Sequence, residues 1–201
     1  MANIVKLNSI SESILYLSKK DKRLAKLFTM IGEITYVPYQ DDPFQFLVNT
    51  IIGQMLSQKA ADSICKRVHS LCSENVTPAN ILSLSHDELR SAGVSNSKCK
   101  YLFNLAEATQ KGILDFNTLQ NLDDQAVYKT ITSIQGLGSW SAKMYLIFVL
   151  NRQNILPFED GAFLQSYSWL YKTNDISPSS IKKRCKKWEP YSSIASSTTD
   201  I

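Results

Sequence analysis

The chain has 201 residues, 44% of them hydrophobic and 20% charged, enough apolar material for a sizeable core and too much for wholesale disorder. No apolar run reaches the length a membrane span needs, and the start Met1-Ala2-Asn3-Ile4-Val5-Lys6-Leu7-Asn8 lacks a signal peptide's layout. A soluble, cytoplasmic protein with no membrane partner is expected. The net charge of +4 permits a polyanion partner without requiring one.

Cys65, Cys72, Cys99 and Cys185 form no CxxC, and His69 and His86 stand at no zinc spacing from them. The tight four-cysteine run of an iron–sulfur cluster is absent. Four reduced thiols are expected.

In chain order, Ser11 is placed to cap a first helix, and residues 21–30 read as a second, closed by Gly32. Residues 33–42 read as a loop. Asp42 suits an N-cap with Pro43 at the first helical position, and the spacing of Phe46, Leu47, Thr50 and Ile51 is helical. Ser57 opens a helix over 60–71, Thr77-Pro78 starts a short one, and Ser85 with Glu88 forms a capping box for another that Gly93 closes. Residues 97–111 are amphipathic, 123–134 are helical, and 139–150 are apolar enough for a central buried helix. A helix over 160–171 precedes a basic one after Pro178, carrying Lys182, Lys183, Arg184, Lys186 and Lys187. This basic stretch reads equally as a solvated face and as a polyanion contact. No stretch alternates apolar and polar residues, so an all-α fold without a sheet is expected. The polar tail 196–201 is expected to fray.

The most informative segment is Ile134-Gln135-Gly136-Leu137-Gly138-Ser139-Trp140-Ser141. One helix ends, two glycines flank one apolar residue, and another helix begins at once. The glycines tolerate backbone angles that other residues resist and leave room for a close approach. Amides of the turn and of the new helix then point outward at the positive end of a helix dipole, which suits a phosphate. An ordinary tight turn is the plainer reading.

Three ordered motifs, Ile51-Ile52-Gly53-Gln54-Met55-Leu56-Ser57, Gly136-Leu137-Gly138 and Leu156-Pro157-Phe158-Glu159-Asp160, together with the stretch from Leu89 to Lys98, resemble the helix–hairpin–helix DNA glycosylases of the endonuclease III fold. The likeness covers roughly residues 40–195 and is strongest to the bacterial 3-methyladenine-DNA glycosylase II branch, without the N-terminal β-domain some members carry. It implies a two-lobed helical fold with the active cleft between the lobes. A DNA-facing lobe would span about 43–125, and a hairpin lobe about 126–195, packed with 1–42.

The implied function is monofunctional excision of alkylated purines, 3-methyladenine above all, from double-stranded DNA by base flipping, by a monomer. Asp160 would be the carboxylate that stabilises the oxocarbenium-like sugar and handles the attacking water. Its place before a helix start favours the ionised form, and it reads as a plain N-cap as well; Glu159 is its nearest rival. Trp140 stands where bifunctional relatives carry a lysine nucleophile, and Lys143 should face elsewhere on that helix. Trp140 and Tyr191 would form an electron-rich pocket for a cationic base, joined by Tyr39, which serves equally as a core residue. Met55, with Gln54, would wedge into the gap left by the flipped base; plain core is the alternative for Met55. Gly136, Leu137, Gly138, Ser139 and Ser141 would bind the DNA backbone. Carbonyls of Thr132, Ile134 and Leu137 match the positions that hold a monovalent cation, Na+ or K+, in relatives; no organic cofactor or redox metal is implied.

The chain departs from the family after Tyr191, where the last helix is expected to be cut short or replaced, loosening the Tyr191 wall. Three rival readings stay open: a same-fold glycosylase for another damaged or mismatched base, a non-catalytic DNA clamp, and a helical scaffold indifferent to DNA.

Overall fold

Several expected helix starts form where a side chain closes the first turn; Ser11 stands at the N-cap of the first helix but makes no side-chain cap bond, its hydroxyl accepting from the Asn8 amide instead. In the computed structural model, which describes residues 4–199, Asp42 accepts from the Phe44 and Gln45 amides, and Pro43 occupies the first helical position. Ser57 caps through the Ala60 amide, and Ser85 and Glu88 close a reciprocal capping box. The helices are α1 (Glu12–Lys20), α2 (Lys22–Ile31), α3 (Pro43–Gly53), α4 (Gln58–Leu71), α5 (Pro78–Ser83), α6 (His86–Ser91) and α7 (Asn96–Gln110). They continue with α8 (Phe116–Leu119), α9 (Asp124–Thr132), α10 (Ser139–Met144), α11 (Gly161–Tyr171), α12 (Pro178–Cys185) and α13 (Ser192–Thr199). The fold class is all-α, as expected.

The chain divides into two bodies, one of Met1–Gln40 with Leu146–Ile201 and one of Asp41–Tyr145. The hairpin therefore belongs to the same body as α3 and α4. In that body α7 packs on α5 and α3, α3 on α4, and α9 on α10. Leu47, Ile51, Val68, Ile81, Leu102, Leu105, Val127 and Ile131 are buried there. In the terminal body, Ile14, Leu17, Leu24 and Phe28 from α1 and α2 meet Phe163, Tyr167 and Trp188 in one cluster.

Inside this second cluster Asp21 is buried, 2% exposed. It accepts from Trp188 Nε1 at 3.1 Å, from the Tyr171 hydroxyl and from the Arg23 amide, and it pairs with Lys187 at 2.9 Å. Burial works to raise its pKa. The donors of Tyr171, Lys187 and Trp188 outweigh that and hold the carboxyl below its ordinary value.

Three expectations are corrected. A two-stranded antiparallel ribbon exists, β1 (Val5–Leu7) with β2 (Ile34–Tyr36), pairing Val5 with Tyr36 and Leu7 with Ile34; part of the expected 33–42 loop is thus strand. The apolar run after residue 139 leaves the α-helix at Met144 and continues as a π-helical turn over Tyr145–Val149. The tail does not fray from 196, because α13 runs to Thr199 with Ala195, Ser196 and Thr198 buried. Residues 200 and 201 of the expected frayed tail lie outside the described residues. No helix among the described residues is long and apolar enough to cross a membrane.

Candidate DNA-repair site

The hairpin is closed by its own backbone. The Ile134 amide donates to Ile131 O at 3.1 Å and the Leu137 amide to Ile134 O at 3.0 Å, while α10 opens with the Ala142 amide on Gly138 O at 3.0 Å. Ile134 and Leu137 are buried and pin the turn to the core. Gly136 has φ +104°, and a Cβ there would lie 2.3 Å from Cγ of Tyr101; both features demand glycine.

Gly138 differs from the expectation. Its φ is −100°, which any residue adopts, and a Cβ there would meet nothing within 4 Å. Nothing within the body calls for a glycine at this exposed position, which leaves room for an outside group to come close. Ser141 is 1% exposed, so its hydroxyl faces the interior. The Leu137 side chain is core, and its amide donates to Ile134 O within the turn. Gly136, Gly138 and Ser139 keep the positions expected of a backbone-binding turn, at the positive end of α10.

The wedge expectation divides in two. Met55 is wholly exposed, at 101%, which removes the core alternative. It sits at φ 58° in the short turn between α3 and α4, where the Leu56 amide donates to Gly53 O at 3.1 Å. Gln54 is turned toward the hairpin. Its side-chain amide donates to Gly136 O at 2.9 Å and reaches Ser141 Oγ at 3.4 Å. Lys98, on the first turn of α7, donates to Ile52 O at 2.8 Å and Gln54 O at 2.6 Å. Burial lowers the pKa of its ammonium.

In the terminal body, Asp160 is half-buried and caps α11, its carboxylate accepting from the Phe163 amide at 2.9 Å. The cap is rigid because Phe163 is fully buried and because the Asp160 amide donates back to Pro157 O at 2.9 Å. Glu159 is exposed. Upstream, Ser193 of α13 clasps the approaching loop. Its hydroxyl donates to Arg152 O at 2.6 Å and accepts from the Ile155 amide at 2.9 Å, while its own amide donates to Gln153 O at 2.9 Å. Ser192 adds a bond to Asn154 Oδ1 at 2.8 Å. A final helix, α13, is thus present, and its serines hold the segment that leads to Asp160.

Of the aromatics, Trp140 is half-buried on the first turn of α10, and Tyr39 is half-buried after β2. Tyr191 is engaged with α1: its hydroxyl donates to Glu12 Oε1 at 3.0 Å, and its ring meets Tyr16 edge-on at 5.5 Å. Lys143 is buried, 9% exposed. The basic stretch after Pro178 is partly committed within its own body, Lys187 to Asp21, Arg184 over the Tyr171 ring at 4.9 Å and Lys182 over the Phe158 ring at 4.2 Å.

The cysteines are free thiols, and among the described residues no group of His, Cys, Asp and Glu side chains is placed to hold a metal. Tyr101, Lys98 and Ser193 escaped the sequence reading. Their partners lie 35, 46 and 38 positions away, as Gly136, Ile52 and Ile155, and no local pattern reports such pairs.

Comparison with known proteins places the chain in a family. Residues 48–190 match the model of the HhH-GPD superfamily base excision DNA repair protein. DNA-3-methyladenine glycosylase 1 of Schizosaccharomyces pombe is 28% identical over 175 residues, 84% of this chain and 76% of that one. A crystal structure of a DNA-3-methyladenine glycosidase from Bacillus halodurans superposes with a TM-score of 0.86 at 31% identity, over 98% of this chain and 91% of the other. The Schizosaccharomyces pombe 3-methyladenine DNA glycosylase in complex with abasic DNA gives a TM-score of 0.82 at 25% identity, over 94% and 95%. With a family match over most of its length and a solved relative that it covers almost end to end, the chain belongs to the HhH-GPD superfamily of base excision DNA repair proteins.

Proposed function

We propose that the protein is a monofunctional DNA glycosylase that removes 3-methyladenine and related alkylated purines from double-stranded DNA and leaves an abasic site. The observation that carries this is Asp160, a half-buried carboxylate fixed by its own helix cap at 2.9 Å, in a family of base excision repair proteins whose similar members are named for 3-methyladenine.

The chemistry follows from the charge of the lesion. A 3-methylated adenine is cationic, so the bond between C1′ and N9 breaks with its electron pair leaving on the base, which departs neutral and needs no acid. The sugar becomes an oxocarbenium ion, and Asp160 stabilises it from a position set before the reaction. Water adds at C1′ and loses a proton to Asp160 or to solvent. Trp140 stacks on the flipped cationic base; tryptophan offers no amine for a Schiff base, so strand cleavage is not expected. Met55 fills the vacated stack, and the open approach at Gly138 admits a phosphate to the hairpin.

By the same reading the carbonyls of Thr132, Ile134 and Leu137 would supply oxygen ligands of the kind a hard monovalent cation takes, although Ile134 O already accepts the Leu137 amide. Such an ion would supply positive charge to the hairpin. The enzyme is taken to act as a monomer.

The test is to incubate the protein with methylated duplex DNA, identify the free bases and then treat the DNA with alkali. Free 3-methyladenine with strand breaks only after alkali is the expected result. No free base, or breaks without alkali, contradicts the reading.

A further inference from the structure

Met55 holds its position without help from its own side chain. A left-handed backbone is disfavoured at a residue other than glycine and persists only where the surroundings impose it. Met55 is at φ 58° and wholly exposed, so nothing that its side chain touches offsets that cost. The constraint comes from its neighbours.

Lys98 supplies the first part of it. The last carbonyls of a helix have no amide partner within it and lie at the negative end of its dipole. At the end of α3, Ile52 O and Gln54 O both receive the Lys98 ammonium, at 2.8 and 2.6 Å. An apolar side chain would fill the same space and leave both carbonyls unanswered. Gln54 supplies the second part, because its side-chain amide donates to Gly136 O at 2.9 Å. The residue before Met55 is therefore tied through its backbone to α7 and through its side chain to the hairpin. All of these residues belong to one body.

We propose that Lys98 and Gln54 are positioning residues that hold Met55 in its presented conformation. The bond from Gln54 to Gly136 joins wedge and hairpin, so that the grip on the phosphate backbone sets the register at which Met55 enters the base stack. This rests on the reading of Met55 as the wedge.

The experiment measures single-turnover release of 3-methyladenine from a methylated oligonucleotide, annealed as a duplex and as the bare single strand. The proteins are wild type, Met55→Ala, Lys98→Met, Lys98→Arg, Gln54→Met and the double variant Met55→Ala/Lys98→Met. A wedge matters only where a base pair must be opened. Lys98→Met and Gln54→Met should each slow duplex excision about tenfold, the double variant should be no slower than Met55→Ala alone, and single-strand excision should be unchanged. Lys98→Arg, which keeps a donor for both carbonyls, should recover most of the duplex rate. Equal slowing on both substrates, or a Lys98→Met loss that adds in full to that of Met55→Ala, overturns the proposal. Duplex excision by Met55→Ala at the wild-type rate would instead remove the wedge reading itself. If Lys98→Met does not fold, Gln54→Met and its double variant with Met55→Ala carry the same comparison through the hairpin bond.

Discussion

The ring of Tyr101 occupies the space that a Cβ on Gly136 would need, with Cγ only 2.3 Å from that point. Gly138, two residues on, has no neighbour within 4 Å of its own Cβ position. One glycine of the hairpin is therefore required by the fold, and the other is open to whatever the hairpin binds.

These two glycines should respond differently to alanine. Gly136→Ala meets both the positive φ and the Tyr101 ring and should lose about 2 to 4 kcal/mol of stability. Gly138→Ala should change stability by less than about 0.5 kcal/mol, yet weaken salt-dependent duplex binding. Denaturant melts and duplex titrations at several salt concentrations check both halves. Unaltered binding by Gly138→Ala would mean that the hairpin grips no phosphate.

Ser193→Ala removes the acceptor of the Ile155 amide and the donor to Arg152 O. The expected cost is about 1 to 3 kcal/mol, because the orphaned amide is buried. Since this loop carries the chain to Asp160, kcat should fall while duplex affinity holds. A melt combined with single-turnover kinetics separates the two effects, and Ser193→Thr, which keeps the hydroxyl, should regain most of both.

Asp21 contributes to the acid limb of stability. Its carboxyl lies below the ordinary value of 3.8 because hydrogen bonds from Tyr171, Lys187 and Trp188 outweigh the cost of burial. A depressed folded pKa stabilises the native state fully above the unfolded value, and that contribution drains away as pH falls below 3.8 through the folded value. Asp21→Asn should cost about 3 kcal/mol at neutral pH, where it leaves Lys187 beside an uncharged partner, and the gap from wild type should narrow below pH 4. Urea melts across pH measure it; a gap of constant size would show that the Asp21 charge is not involved.

Trp140→Ala should slow release of 3-methyladenine about tenfold through lost stacking, and Trp140→Phe should lie between the two. Tyr191→Phe removes only the hydroxyl bonded to Glu12 and should lower thermal stability more than excision. Rates and melting temperatures measured side by side decide whether Tyr191 serves the base pocket or the attachment of α1.

Helix starts were legible in the sequence where the capping chemistry is local. Asp42 with Pro43, Ser57, and Ser85 with Glu88 each announce a first turn within four residues. The hairpin was legible for the same reason, and so was the cap role of Asp160. The β1–β2 ribbon was not, since three-residue strands carry too little alternation and find each other across about 30 positions. Nor was α13, because Ser and Thr are weak helix formers that turn their hydroxyls onto the backbone. Here Thr198 Oγ1 bonds Ile194 O at 2.7 Å, and Ser193 and buried Ala195 supply the tertiary anchors. The motif places Gln54 with Met55 at the DNA, and no local pattern announces its bond to Gly136 O, 82 positions away. Ser141 likewise follows the hairpin in sequence but turns inward on α10.

The most direct test of the central claim compares wild type with Asp160→Asn in single-turnover release of 3-methyladenine from methylated duplex DNA, with duplex affinity measured in parallel. Asparagine keeps an oxygen for the Phe163 amide, so the cap and the fold should survive. The account predicts that Asp160→Asn binds DNA as wild type does and releases base at least about 100-fold more slowly. Release by Asp160→Asn at the wild-type rate would show that the carboxylate is only a helix cap and would contradict the account.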